Sequence, residues 1–147
     1  MISRWNFLAA PLLAWIAMNA AHAGDSVSAS LYLAENDPPP STALLAPEKL
    51  EVRLHSVFGY KHYELLKSDT INLKNHWEQW FVPRKDLFLK VEPLKPTDDE
   101  PRVVNFEIYK DGFLVANGQY EPDSDTPLMV KGPDFKQGRL IIVLEAR

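Results

Sequence analysis

The feature that most constrains the fold is a series of short apolar and aromatic runs, each ended by proline, glycine or a polar cluster. In the first, residues 27–33, Val27, Ala29, Leu31 and Leu33 alternate with other residues, the period of a half-buried strand. Similar runs occupy residues 60–67, 76–82, 87–91, 103–109, 113–120, 128–131 and 139–144. The fifth and sixth of these eight runs flank Asp111-Gly112, a dipeptide suited to a two-residue hairpin turn with positive φ. A second turn region contains Gly132-Pro133 and Gln137-Gly138. Runs this short and this regularly spaced, with no repeat period, predict a mainly β domain, an antiparallel β-sandwich of about eight strands.

One segment has a helical period instead. Over residues 47–58, Leu50, Leu54, Val57 and Phe58 form one apolar stripe, with Pro47 suited to the first turn and Gly59 to the position past the end. Pro38-Pro39-Pro40 separates this helix from the first strand as a stiff spacer. The helix lies between the first two strands and is expected to cross over one sheet face. Prolines bound two acidic stretches, residues 93–101 and 122–127, which read as solvated loops.

Residues 1–23 have a different organisation. Arg4 makes the start positive, residues 7–18 are mostly apolar, and Ala21-His22-Ala23 has the pattern of a cleavage site. The apolar run is too short to span a bilayer and contains Pro11. The expectation is a signal peptide over residues 1–23, a single β-rich domain over residues 24–147, and a periplasmic or extracellular location with no transmembrane segment after cleavage. Charged residues at 24% and hydrophobic residues at 46% argue against wholesale disorder. A net charge of −4 has the wrong sign for a nucleic-acid binder. The absence of cysteine excludes disulfides, thiol chemistry and cysteine-rich metal sites.

No catalytic constellation stands out. No serine sits in a G-x-S-x-G turn, and His55, His62 and His76 lack metal-ligand spacing, so neither cofactor nor metal is implied. Glu121, Asp123 and Asp125 lack the register of a calcium loop. The aromatic residues carry more information, because an exposed flat ring can stack on a sugar. An even-length connection at residues 83–86 pairs Val82 with Leu87 and Trp80 with Leu89, which turns Trp80 inward. Trp77, Phe81 and Phe88 then line the outer side and are the candidate binding residues. This strip either lies under the helix stripe, the fate favoured because the helix needs an apolar partner, or faces solvent as a binding surface.

Phe58-Gly59-Tyr60 leading to Tyr63-Glu64-Leu65-Leu66, with Gly132-Pro133 and Gly138-Arg139-Leu140-Ile141-Ile142-Val143, resembles a pattern in a group of small exported bacterial β-rich proteins without assigned activity. The resemblance implies export and a β-rich fold, and it implies no function. The expected role is an exported, non-catalytic binding or envelope-assembly module for a protein or glycan partner. The alternative is a carbohydrate-binding or accessory domain that uses exposed aromatics.

Overall fold

The computed structural model describes residues 26–74, 78–94, 102–122 and 126–147. Its elements in chain order are β1 (Ser26–Glu35), α1 (Glu48–Phe58), β2 (His62–Asn72), β3 (Gln79–Arg84), β4 (Leu87–Leu94), β5 (Val103–Lys110), β6 (Phe113–Tyr120), β7 (Leu128–Phe135) and β8 (Gly138–Ala146). The strands form two four-stranded sheets, ordered β2-β1-β8-β7 and β3-β4-β5-β6, and every pairing is antiparallel. The mainly β, sandwich-like fold with one helix is the one the sequence pattern predicts.

The inner faces meet in one apolar core. Val27, Ala29, Leu31 and Leu33 of β1 and Leu140, Ile142 and Leu144 of β8 pack with Phe81, Leu89, Val91, Phe106 and Ile108 of the second sheet. In residues 27–33 every second side chain enters the core, as the alternation predicts, but β1 is not half-buried: Ser28, Tyr32 and Ala34 on its other face are buried as well. The Asp111-Gly112 turn also forms as expected, with φ of 53° and 81°. Two consecutive positive φ values match the right-handed twist of the flanking strands, and glycine supplies the second at no steric cost. The β7–β8 turn falls at Lys136-Gln137, whereas Gly132-Pro133 lies within β7, where the register slips between Lys131 and Asp134. Proline has no N–H for the ladder and is tolerated there because β7 is an edge strand.

The helix ends at Gly59 with φ of 79°, and the Gly59 N–H donates to the His55 carbonyl at 2.9 Å. It packs on the outer face of the first sheet, in a second apolar cluster formed by Tyr32, Ala34, Leu54, Tyr63, Ile141 and Val143. The Tyr63 hydroxyl donates to the Leu54 carbonyl at 2.8 Å. Of the expected stripe, Leu54 is fully buried, Leu50 and Phe58 are partly buried, and Val57 is 57% exposed. At about 100° per residue, Val57 points roughly 60° away from Leu54, against about 40° for Leu50 and Phe58. The buried arc is centred on Leu54, which leaves Val57 outside it. Burial of a leucine side chain such as Leu54 is worth about 1.5–3 kcal/mol.

Two expectations about the aromatic strip are corrected. The helix covers the first sheet, so it does not lie over the outer face of β3 and β4. The β3–β4 register also differs from the even-length reading. Arg84 pairs with Leu87 and Phe81 with Leu89, so three steps along β3 match two along β4. The extra residue is a bulge at Val82-Pro83, and one added residue turns the following side chains to the opposite face. Phe81 is therefore inside, at 0% exposure, and Trp80 is outside, at 41%.

Candidate aromatic binding face

The outer face of the β3-β4-β5-β6 sheet is a grid set by register. Phe88 of β4 stands opposite Tyr109 of β5, which stands opposite Leu114 of β6. In the next row Trp80, Lys90, Glu107 and Asn117 follow one another across the four strands. The row beyond contains Glu92, Asn105 and Gln119. One end of the face is thus apolar and aromatic, and the other carries carboxylates, amides and one ammonium.

The aromatic end is a shallow depression of about 440 Å³ lined by Trp80, Val82, Phe88, Tyr109 and Gly112. The Trp80 and Tyr109 rings are 6.5 Å apart between centroids and inclined by 29°, a stacked arrangement. Leu114 of β6, opposite Tyr109, is also exposed, so apolar surface continues beyond the depression.

A polar network fixes the two stacked rings. The Trp80 indole N–H donates to Glu78 Oε1 at 3.0 Å, and the Tyr109 hydroxyl donates to Glu107 Oε2 at 2.7 Å. Lys90 Nζ is 3.4 Å from Glu78, 3.3 Å from Glu92 and 3.8 Å from Glu107, and it lies 6.0 Å from the Trp80 ring centroid. The hydrogen bond from Trp80, with help from Lys90, holds the Glu78 carboxyl below the usual carboxylate range. Glu92 first, then Glu107 and Glu78, hold the Lys90 ammonium above its ordinary value. The hydrogen bond to Glu107 raises the Tyr109 phenol. Three carboxylates surround one ammonium, so the network is net negative at neutral pH. Such a face repels anions and favours a neutral, hydroxyl-rich or cationic ligand.

The three sequence-derived binding residues have separate fates. Phe88 lies on this face and is partly buried. Phe81 is in the core, with the Lys67 ammonium 5.3 Å from its ring centroid on the side of the first sheet. Trp77 lies outside the described residues, as does His76. Sequence reasoning missed Trp80, Tyr109, Lys90 and Glu107. The available signal was Pro83, a residue that marks edge strands and bulges and so warns against a simple register count. Among the described residues no group of three or more His, Asp or Glu side chains could hold a metal ion. No described helix is long and apolar enough to cross a membrane. Comparison with protein-family models, curated proteins and solved structures finds no match for this chain.

Proposed function

We propose that the protein is an exported, non-catalytic binding module that holds a neutral glycan on the outer face of its β3-β4-β5-β6 sheet. The observation that carries this reading is the exposed, stacked Trp80–Tyr109 pair, locked by Glu78 and Glu107 and bordered by carboxylate and amide side chains. An aromatic ring offers its face to the C–H face of a pyranose, while neighbouring Glu, Asn and Gln side chains accept and donate to ring hydroxyls. The rings are held in place before binding, which lowers the ordering cost of association. Net negative charge beside the platform favours an uncharged sugar over an acidic one. Export rests on the leader pattern of residues 1–23, and it would bring the module to the compartment where envelope and extracellular polysaccharides occur.

Titration of the mature protein with a panel of neutral oligosaccharides, read by tryptophan fluorescence and calorimetry, tests the reading. At least one oligosaccharide should perturb the fluorescence, and Trp80→Ala should lower its affinity by tenfold or more. Binding that survives Trp80→Ala unchanged, or a response to none of the panel, would overturn the assignment to this face. Co-purification of an envelope protein in a Trp80-dependent manner, without glycan binding, would replace the glycan by a protein partner.

A further inference from the structure

We infer a second ligand site, for a small organic anion with an apolar body, in the groove between α1 and the outer face of the β2-β1-β8-β7 sheet. The groove is a cavity of about 360 Å³ and lies on the opposite side of the sandwich from the aromatic face. That volume is in the range of small-molecule sites.

Charge sets the ligand class. Lys49 and Arg53 from α1 and Arg147 from beyond β8 line the groove, and Glu145 is the one acidic side chain among the lining residues. In a chain of net charge −4 this is a local reversal of sign. Among the described residues none of these three cations has a carboxylate partner within ion-pair distance, whereas Arg84, Lys90 and Arg139 each do. Glu145 therefore offsets only part of the positive charge in the groove. Partial enclosure strengthens its attraction for an anion relative to open surface.

The floor of the groove adds a polar contact. Ser28 is only 5% exposed, lines the groove, and has no hydrogen-bond partner for its hydroxyl among the described residues. Its Oγ opens to the groove and is available to donate to or accept from a bound group. The neighbouring Ser30 hydroxyl, by contrast, is 2.8 Å from the Ser68 hydroxyl. Ser28 sits on the outer side of β1 because Val27 and Ala29 on either side of it point into the core. Its hydroxyl is thus presented where a bound group would complete it. Pro47, Leu50 and Val143 supply apolar walls, which fit an organic body more than a bare ion. Together the groups describe a carboxylate or phosphate ester whose charged end meets Lys49, Arg53 and the Ser28 hydroxyl and whose body rests on Pro47, Leu50 and Val143.

Calorimetry of the mature protein with phenyl phosphate and with benzoate tests the site, with phenol and inorganic phosphate as the neutral and body-less probes. At least one of the two organic anions should bind more tightly than both reference probes, and binding should weaken as salt is raised. Lys49→Gln combined with Arg53→Gln should lower that affinity at least tenfold. Both side chains are exposed on α1, so the melting temperature should be unchanged. Lys110→Gln, on the other sheet, should leave anion affinity intact. Three results would overturn the site: neither anion binds, the double variant binds as well as the parent, or phenol binds as tightly as phenyl phosphate. Inorganic phosphate binding as tightly as the ester would refute the apolar body. Binding confined to vesicles of anionic lipid would reassign the cations to a membrane surface and overturn the proposal.

Discussion

Adjacent residues Phe81 and Trp80 should respond very differently to truncation. Phe81 is at 0% exposure, packed between the sheets and capped by Lys67, so Phe81→Ala leaves a cavity that its neighbours fill only in part. Removal of a fully buried phenylalanine costs about 3–5 kcal/mol, which in a domain of this size lowers the melting temperature by roughly 10–20 °C. Trp80 is 41% exposed, packs on one flank against Tyr109 and lines the depression with Phe88. Its truncation removes a stacked pair and part of an apolar contact and leaves no closed cavity. The expected cost is about 1–2 kcal/mol, built from roughly 0.5–1.5 kcal/mol for the ring pair plus a partial transfer term.

Urea unfolding of both variants beside the parent, with midpoint and slope fitted separately, measures the difference. Phe81→Ala should be the weaker protein by about 1–4 kcal/mol. The even-length register makes the opposite prediction, because it puts Trp80 inside. If Trp80→Ala unfolds as readily as Phe81→Ala, or more so, the bulge at Val82-Pro83 is refuted, and the aromatic face loses its central ring.

Burial holds Tyr32, Tyr63 and Tyr120 above the ordinary tyrosine pKa, and the hydrogen bond to Glu107 does the same for Tyr109. A raised folded pKa contributes stability that is complete below the unfolded value of about 10 and is lost as pH rises through the folded value, so the melting temperature should hold to about pH 9 and fall above about pH 10. Near-ultraviolet titration checks this; normal phenol titration of all four groups with no loss of stability would contradict it. Processing after Ala23 should leave Gly24 as the amino terminus of exported protein, which intact mass measures, and an uncleaved Met1 chain in the membrane fraction would contradict the leader.

The fold was legible because its signals are local. Alternation in residues 27–33, Asp111-Gly112 and the Leu50/Leu54/Phe58 spacing each report a preference satisfied within a few residues, and the structure satisfies all three. The binding face was not legible to the same degree because it depends on a count. One extra residue at Val82-Pro83 exchanges Trp80 and Phe81 between solvent and core, and Pro83 marks the place without fixing the count. The position of the helix was recoverable in principle. Leu140-Ile141-Ile142-Val143-Leu144 is apolar without alternation, which requires cover on both faces of β8. In β4, by contrast, Lys90 and Glu92 alternate with buried residues, so its outer face cannot lie under an apolar helix. Comparing those two strands places α1 over the first sheet without any appeal to the aromatic strip.

That asymmetry between the sheets also separates the two sites. A helix over the β1 and β8 outer faces buries Tyr32, Ala34, Ile141 and Val143, and its own cations then border the groove beside Ser28. No described helix lies over the outer face of the other sheet, and its aromatic rings are at the surface, held by carboxylates. One site is net positive and the other net negative, and the full thickness of the core stands between them. A ligand on one face therefore makes no direct contact with the other, and charge alone sorts an anion from a neutral sugar. Trp80→Ala should leave anion affinity unchanged, and the Lys49→Gln, Arg53→Gln pair should leave glycan affinity unchanged, because neither substitution reaches the opposite outer face. Loss of both activities in either variant would mean that the faces communicate through the β1–β8 core, which the independent packing of the two apolar clusters argues against.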